Sequence, residues 1–268
     1  MASADTDDRS IDFASVAAHQ MKAPLSSAGS LLQILEDEYA GPLTPRQREI
    51  VEKIRGHFRT AGASVSRILR IARLLQEDLA EAGKADLTVL VRRAEARFAE
   101  QAAHRSISLR SRIAPREAWI PGPEDIWSEV LDALLGNALK YTPKHGKIVL
   151  DVSEGPQPGT MRVAVRDSGI GIAEEERERI FDWFYRSREA RKSTRQGTGL
   201  GLTLAKAAAA AAFGTIEARQ SDLGGAEIVL ELPFVEAGPG PERPASDSPS
   251  RRVVIIGGVA AGPKVASK

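Results

Sequence analysis

Four short motifs hold the residues whose types and spacing could carry out chemistry. They begin, in chain order, at His19, Asn137, Asp167 and Gly197. A histidine ring is a nucleophile, an amide oxygen suits Mg²⁺, a carboxylate accepts a hydrogen bond from a base, and glycine turns expose backbone N–H groups to phosphate. Together, these groups could move a phosphoryl group from a nucleotide onto a histidine.

The first motif runs from His19 to Pro24, at the start of a predicted helix. His19 is rotated by about 200° from Met21, a residue of the apolar helix face, so we expect His19 to face solvent. A solvent-facing imidazole is mostly neutral at pH 7 and is able to attack phosphorus. A histidine standing alone would be interpreted as an ordinary surface residue. That is our interpretation of the three histidines outside the motifs, His57, His104 and His145.

The second and third motifs supply polar groups for a nucleotide. Asn137 lies near the end of a predicted helix, where its amide oxygen could bind Mg²⁺. Lys140 shares that helix face and could contact a phosphate. Asp167 ends a predicted strand, and its carboxylate could accept a hydrogen bond from the exocyclic amine that adenine has and guanine lacks at that position. Without the other motifs, helix capping and an ordinary Asp-Gly turn would explain these residues.

Glycines form the rest of this candidate site. Gly169 and Gly171 let the backbone approach a flat base, because they have no Cβ. Gly197, Gly199 and Gly201 open a predicted helix, where exposed N–H groups and the helix dipole favour a phosphate. A basic stretch precedes them and could close as a lid over a triphosphate, or be merely solvated. Its charged residues are Arg186, Arg188, Arg191, Lys192 and Arg195.

Two amphipathic helices are predicted between residues 11 and 79. A turn at residues 39–45 separates them, and Thr44 with Gln47 forms a capping box for the second helix. Each helix carries a seam at heptad spacing: Met21, Leu25, Ala28, Leu32 and Leu35 on the first, and Ile54, His57, Ala61, Val65, Ile68, Ala72 and Leu75 on the second. Because two such helices cannot enclose a core alone, we predict a dimeric four-helix bundle. The alternative is that the hairpin packs on the rest of its own chain.

The region from about residue 85 to residue 234 has a mixed pattern. Alternating apolar and polar residues predict strands at 107–113, 147–152, 161–167, 214–219 and 226–232. Helical periodicity predicts helices at 89–103, 124–140 and 199–213. Glycine and proline join the second and third strands, which indicates an antiparallel hairpin. We therefore predict an α/β two-layer sandwich with helices on one face of the sheet, and an α+β fold for the whole chain.

We divide the chain into five parts. They are a disordered N-terminus (1–10), the helical hairpin (11–80), the mixed domain (85–235), a linker rich in Pro, Gly and Ser (236–250) and a tail (251–268). The tail resembles the start of a dinucleotide-binding unit of flavin-dependent disulfide oxidoreductases. However, Val259 stands where the middle glycine belongs, and the chain ends before the second strand. The tail is either cut from a longer fusion or a remnant that packs as a strand, and we assign it no activity.

Composition narrows the class of protein. The net charge of +1 argues against nucleic acid or an anionic membrane as a bulk partner. The chain has no cysteine, which excludes disulfides and thiol chemistry. Its longest apolar run is shorter than the roughly 20 residues that span a bilayer. The N-terminus is polar and acidic, unlike a signal peptide. We therefore expect a soluble, cytoplasmic protein.

The motifs, in this order, resemble the H, N, G1, F and G2 boxes of sensor histidine kinases. The F box corresponds to residues 180–186, and the resemblance covers roughly residues 11–234. It implies a dimerisation and phosphotransfer hairpin followed by a Bergerat-type, gyrase-like ATP-binding domain. It also implies that His19 is phosphorylated from ATP with Mg²⁺ and passes the phosphoryl group to an aspartate of a response regulator. The implied partners are a second copy of the chain, that regulator and an unidentified sensor.

The resemblance also assigns roles to single residues. Asn137 would bind Mg²⁺, Lys140 the phosphates and Asp167 the adenine amine, with Tyr141 on the base or ribose side. The implied catalytic residues are His19, Gln20 and Lys140. The implied cofactor-binding residues are Asn137, Lys140, Tyr141, Asp167, Gly169, Gly171, Arg186, Gly197, Thr198, Gly199, Leu200 and Gly201.

Three positions depart from the family pattern. Gln20 replaces the usual Glu or Asp after the histidine, and an amide can orient the ring but cannot take its proton. Ala23 replaces a Thr or Asn that positions a water, so we predict weak or absent phosphatase activity. Ala133 replaces a further Asn. Two alternatives to a kinase stay open: a degenerate kinase that docks a regulator or forms heterodimers, and a different ATPase of the same fold, in which the histidine hairpin would have no role.

Overall fold

The computed structural model describes residues 20–21, 23–192 and 197–235. All of these residues belong to one compact unit, Met1–Glu236. His19 therefore lies outside the described residues, as do the predicted N-terminus, linker and tail.

The first part of the chain is a helical hairpin, as predicted. Helix α1 covers residues 23–36, and helix α2 covers Pro45–Leu74. The N–H of Gln47 donates to Thr44 Oγ1 (3.4 Å), and the N–H of Thr44 donates to Gln47 Oε1 (2.9 Å). This capping box satisfies two N–H groups that a helix start would otherwise leave unpaired, which fixes where α2 begins.

Burial varies along both helices of the hairpin. Leu32 of α1 and Val65 of α2 are buried, but the seam residues Met21 and Ile54 are 52% and 37% exposed. A second exposed set lies beside the seam: Leu31, Ile34 and Ile50. The hairpin therefore presents an apolar surface that its own two helices do not cover.

The C-terminal end of α2 packs on the rest of the chain. Ile71 and Leu74 are 0% and 2% exposed and join the core of the following domain. Leu75, which the heptad spacing placed on the seam, is 44% exposed. Exposure in a single chain does not test a seam that a second copy would cover, so the seam at Leu75 stays a prediction, while Ile71 and Leu74 are covered by the next domain.

Among the described residues, seven strands follow in the part of the chain that we call the sheet domain (residues 84–235). They are β1 (Lys84–Asp86), β2 (Ser108–Ile113), β3 (Trp119–Pro121), β4 (Lys147–Glu154), β5 (Thr160–Asp167), β6 (Thr215–Gln220) and β7 (Ala226–Pro233). Five of them form one sheet in the order β2-β4-β5-β7-β6. Only β2 and β4 are parallel; the other neighbours are antiparallel. All five predicted strands and the predicted hairpin are confirmed.

Helices cover one face of this sheet. They are α3 (Leu87–His104), α4 (Glu124–Tyr141), a short α5 (Arg188–Lys192) and α6 (Gly201–Ala211). Trp127, Leu134 and Leu204 are at most 2% exposed and fill the layer between helices and sheet. The opposite face carries charged side chains, including the Arg162–Glu227 ion pair (3.2 Å). One apolar and one charged face make the two-layer sandwich that the sequence predicted.

A small two-stranded ribbon was missed. β1 and β3 pair antiparallel, with Asp86 opposite Trp119. The N–H of Val235 donates to the carbonyl of Trp119 (2.9 Å), on the other edge of β3. Each of these strands has three residues, which is too short for an alternation pattern to show. The chain thus enters and leaves the sheet domain beside the same strand.

Candidate functional site

A cavity lies where α4, the end of β5, the segment before α5 and the start of α6 meet. It has an empty volume of about 960 Å³, including the space open to solvent at its mouth. All but Gly169 and Leu200 of the residues predicted to bind a cofactor line it. The structure thus brings together four segments that are far apart in sequence. Gln20 is exposed, lies before α1 and does not line the cavity.

Asp167 is the buried acid of this cavity. It ends β5, is 8% exposed, and its Oδ1 accepts hydrogen bonds from the N–H groups of Gly169 (2.7 Å) and Ala226 (3.1 Å). Burial raises the pKa of Asp167, and the two N–H groups oppose that rise. Within the described part of the chain, Oδ2 makes no hydrogen bond, so an oriented acceptor remains for a ligand.

The backbone around Asp167 is packed too closely for side chains. A Cβ at Gly225 would collide with Asp167 Oδ1 and with the backbone nitrogen of Gly169. A Cβ at Gly169 would lie 2.8 Å from the carbonyl oxygen of Tyr141. Gly169 was predicted to approach a base, but it supports the carboxylate and packs against α4. Gly225 was missed, although the Gly224-Gly225 pair before the last strand was a signal that could have found it.

Two polar side chains of α4 face the cavity. Asn137 and Lys140 are half-buried and lie on one face of the helix, as predicted. The ammonium of Lys140 lies 4.9 Å from the ring centroid of Tyr141. A Cβ at Gly197 would collide with this ammonium, so Lys140 rests directly against the glycine-rich segment. The cation is therefore held beside the place where the last motif enters the site.

The glycine-rich segment leads into α6. Gly199 has a φ of +71°, and a Cβ there would lie 2.6 Å from the carbonyl carbon of Phe184, so only glycine fits without strain. Helix α6 begins at Gly201, where the first N–H groups have no partner within the helix and suit an anion. The N–H of Leu200 instead donates to Thr198 Oγ1 (3.4 Å), and the Leu200 side chain is fully buried. Leu200 therefore belongs to the core and not to the cavity wall.

Arg186 lines the cavity but is also part of its structure. Its Nη2 donates to the carbonyl of Ala190 in α5 (2.6 Å), which ties the segment before α5 to that helix. Residues 193–196 of the predicted lid lie outside the described residues. A basic group thus stands at the cavity, while the closing of a lid stays a prediction.

The arrangement suits a nucleotide. Asp167 can accept a hydrogen bond from a base amine, and Lys140 with the start of α6 can neutralise phosphates. Asn137 is the amide beside them that could ligate Mg²⁺, a metal that usually takes few protein ligands. In the described ranges, no cluster of three or more His, Asp or Glu side chains could hold a metal ion. The described helices include none that is long and apolar enough to cross a membrane.

Two family models match the chain. The model described as the His Kinase A (phospho-acceptor) domain matches residues 9–77. The model described as the histidine kinase-, DNA gyrase B-, and HSP90-like ATPase matches residues 122–236. The first match includes His19 and the hairpin, and the second includes the residues that line the cavity.

Individual proteins agree with these matches. The chain is 28% identical over 224 residues to the signal transduction histidine-protein kinase BaeS of Escherichia coli, covering 83% of this chain and 46% of the relative. It is 31% identical over 235 residues to the sensor-like histidine kinase SenX3 of Mycobacterium bovis, covering 87% and 56%. The crystal structure of full-length ShkA in complex with AMPPNP superposes with a TM-score of 0.69 at 27% identity, covering 84% of this chain and 46% of ShkA. The chain spans about half the length of these relatives.

Proposed function

The chain belongs to the histidine kinase family, and we propose that it is the catalytic core of a sensor histidine kinase. In this proposal, residues 11–80 are the dimerisation and phosphotransfer hairpin, and residues 85–235 bind ATP. His19 is phosphorylated and then donates the phosphoryl group to an aspartate of a response regulator. The observation that carries the proposal is the cavity in which the buried carboxylate of Asp167 and the ammonium of Lys140 meet the start of α6.

The cavity residues would hold Mg-ATP by complementary charge and hydrogen bonding. Asp167 Oδ2 accepts a hydrogen bond from the adenine amine, which selects adenine over guanine. Lys140 neutralises phosphate charge, and Asn137 ligates Mg²⁺. When bound, Mg-ATP supplies the phosphoryl group and the charge neutralisation that phosphoryl transfer needs. The protein's own contribution is to place these groups and to keep them rigid.

In this proposal, the acceptor side of phosphoryl transfer depends on residues 19–23. His19 is the nucleophile, and the amide of Gln20 can orient a neighbouring ring but cannot accept its proton. Ala23 has no side chain that could position a water for hydrolysis of the phosphorylated regulator. We therefore expect the chain to donate phosphoryl groups to its regulator more readily than it removes them, with weak or absent phosphatase activity.

The apolar surface of the hairpin supports a homodimer. Met21, Ile50 and Ile54 are 52%, 49% and 37% exposed in the single chain. A second copy would bury the same surfaces on both hairpins and complete a four-helix bundle. Dimerisation would then place two histidine-bearing helices in one core.

Transfer to His19 is tested with γ-labelled ATP and Mg²⁺. We expect acid-labile, alkali-stable label on the full chain and none on His19→Ala or Asp167→Ala. His104→Ala is the matched control, because His104 is an exposed histidine at the end of α3 and should keep full labelling. Label that persists in His19→Ala would overturn the assignment of the nucleophile. Nucleotide binding without any label would indicate a module that only docks its partner.

A further inference from the structure

A buried acid outside the cavity has no role so far. Glu176 ends a short 3₁₀ turn (Glu174–Glu176) between β5 and α5 and is 5% exposed, whereas Glu174 and Glu175 point to solvent. Burying an acid costs free energy unless hydrogen bonds satisfy it. The hydrogen-bond partners of Glu176 therefore indicate why this acid is buried.

Glu176 Oε1 forms hydrogen bonds with two residues outside its own turn. It accepts hydrogen bonds from the hydroxyl of Tyr185 (2.8 Å) and from the backbone N–H of Arg188 (2.9 Å). Burial acts to raise the pKa of Glu176, but the hydrogen bonds from Arg188 and Tyr185, together with the charges of Arg188 and Arg179, outweigh it and lower the pKa below its ordinary value. Glu176 is therefore ionised at neutral pH, and both hydrogen bonds are charge-assisted.

Tyr185 is held on its ring faces as well. The guanidinium of Arg179 lies 4.7 Å from the ring centroid, and that of Arg191 lies 5.9 Å from it. The hydrogen bond to Glu176 raises the pKa of Tyr185, so the phenol stays protonated and keeps donating. Cation–π contacts and the hydrogen bond together fix the ring in one place.

The fixed segment is one wall of the cavity. Tyr185, Arg186, Ser187 and Ala190 all line the cavity, and Glu176 does not. The two hydrogen bonds of Glu176 fall on either side of Arg186 and Ser187, at Tyr185 and Arg188. Glu176 thus holds the chain on either side of Arg186 and Ser187, and it does not line the cavity itself.

We propose that Glu176 is a positioning residue for nucleotide binding, which holds residues 185–190 as the cavity wall that contacts the nucleotide. This proposal rests on the proposed function, because the ligand of the cavity is taken to be ATP. Without the two hydrogen bonds of Glu176, the ligand has to order residues 185–190 when it binds. The free-energy cost of that ordering weakens nucleotide binding. Once nucleotide is bound at saturation, transfer to His19 is unaffected.

The test compares Mg-ADP binding by calorimetry among variants of the full chain. We expect Glu176→Ala to weaken binding about tenfold and Tyr185→Phe about threefold, because the second change removes one of two hydrogen bonds. Glu176→Gln keeps an acceptor oxygen and should recover part of the loss. Glu174→Ala is the matched control, since it removes an exposed acid from the same turn and should bind like the wild type. In the labelling assay, Glu176→Ala should raise KM for ATP about tenfold and leave kcat within about twofold.

The outcomes distinguish a failure of the proposal for Glu176 from a failure of the proposed kinase function. Equal Mg-ADP binding by the wild type, Glu176→Ala and Tyr185→Phe overturns the role of Glu176 and leaves the kinase proposal standing. A wild-type chain that binds no Mg-ADP overturns the kinase proposal and this one with it. If Glu176→Ala fails to fold, Tyr185→Phe decides, because it removes only one hydroxyl: normal binding by that variant overturns the proposal.

Discussion

The helical hairpin and the sheet domain differ in what covers their apolar residues. In the sheet domain, Trp127 and Leu134 are at most 2% exposed and are covered by the same chain. In the hairpin, Leu31 and Ile50 are 61% and 49% exposed. Helix α2 belongs to both regions, because its first half lies in the hairpin and its last turns lie in the core of the sheet domain. Amphipathic spacing therefore predicts that one face of a helix is buried. It does not predict whether the same chain or a second copy covers that face.

The largest expected effect separates Leu74 from its neighbour at the end of α2. We expect Leu74→Ala to lower the free energy of unfolding by about 3 kcal/mol, because it leaves a cavity in the core of the sheet domain. Leu75→Ala should cost no more than about 0.5 kcal/mol, because its side chain is largely exposed. Denaturant unfolding of both variants measures the difference. Equal losses would show that α2 does not divide between the two regions as described.

A second prediction tests whether Asp167 of the sheet domain contributes to nucleotide binding. We expect Asp167→Asn to weaken Mg-ADP binding about 50-fold, the size of a lost hydrogen bond to a charged group. The same change should raise the thermal midpoint without nucleotide at pH 7. Calorimetry measures the expected loss of Mg-ADP binding, and a thermal scan measures the expected rise of the midpoint. Weaker binding together with a lower midpoint would indicate that the substitution disturbs the fold.

The sign of the stability change follows from the raised pKa of Asp167. A carboxyl group with a raised pKa in the folded state destabilises the fold once the pH is high enough to ionise it. Asparagine keeps an oxygen for the N–H groups of Gly169 and Ala226 but carries no charge. The advantage of the variant should therefore shrink as the pH falls and vanish below the ordinary aspartate pKa of 3.8.

A third prediction concerns the uncovered face of the hairpin. We expect Ile54→Asp to weaken self-association at least about tenfold, because it places a charge on the apolar surface that a second copy would cover. Lys53→Asp introduces a carboxylate at an adjacent exposed position; although it changes the net charge by two units and removes the exposed ion pair with Glu49, it should associate nearly normally. Sedimentation equilibrium measures both. Equal weakening by the two variants would mean that charge, not burial of this face, governs association.

The smallest expected effect lies at the junction of the two regions. Arg70 of α2 contacts Asp125 (2.8 Å) and Glu129 (3.2 Å) of α4. Because this pairing is partly exposed, we expect Arg70→Ala to cost only about 0.5 kcal/mol, and less in high salt. Arg73→Ala, in the last turn of the same helix, should be neutral. A salt-independent loss in Arg70→Ala would mean that the packing of its stem matters more than its charge.

Sequence reasoning succeeded where the signal was local. The strands that alternate regularly and the capping box of Thr44 and Gln47 were predicted because neighbouring residues carry the whole pattern. It failed where a role depends on a distant contact. Gly225 matters only because the chain passes Asp167 there, and Leu200 turns inward although its motif neighbours line the cavity. Glu174, Glu175 and Glu176 have the same side chain, and only the fold shows which one is buried.

The β1–β3 ribbon makes the sheet domain a candidate for circular permutation. Asp86 lies on one edge of Trp119 and Val235 on the other, so two strand spacings, roughly 10 Å, separate the place where the chain enters from the place where it leaves. A short glycine-rich linker could join these points, and new termini could open in the turn at residues 155–159 between β4 and β5. The domain could then be carried within a loop of another protein, with its nucleotide cavity intact.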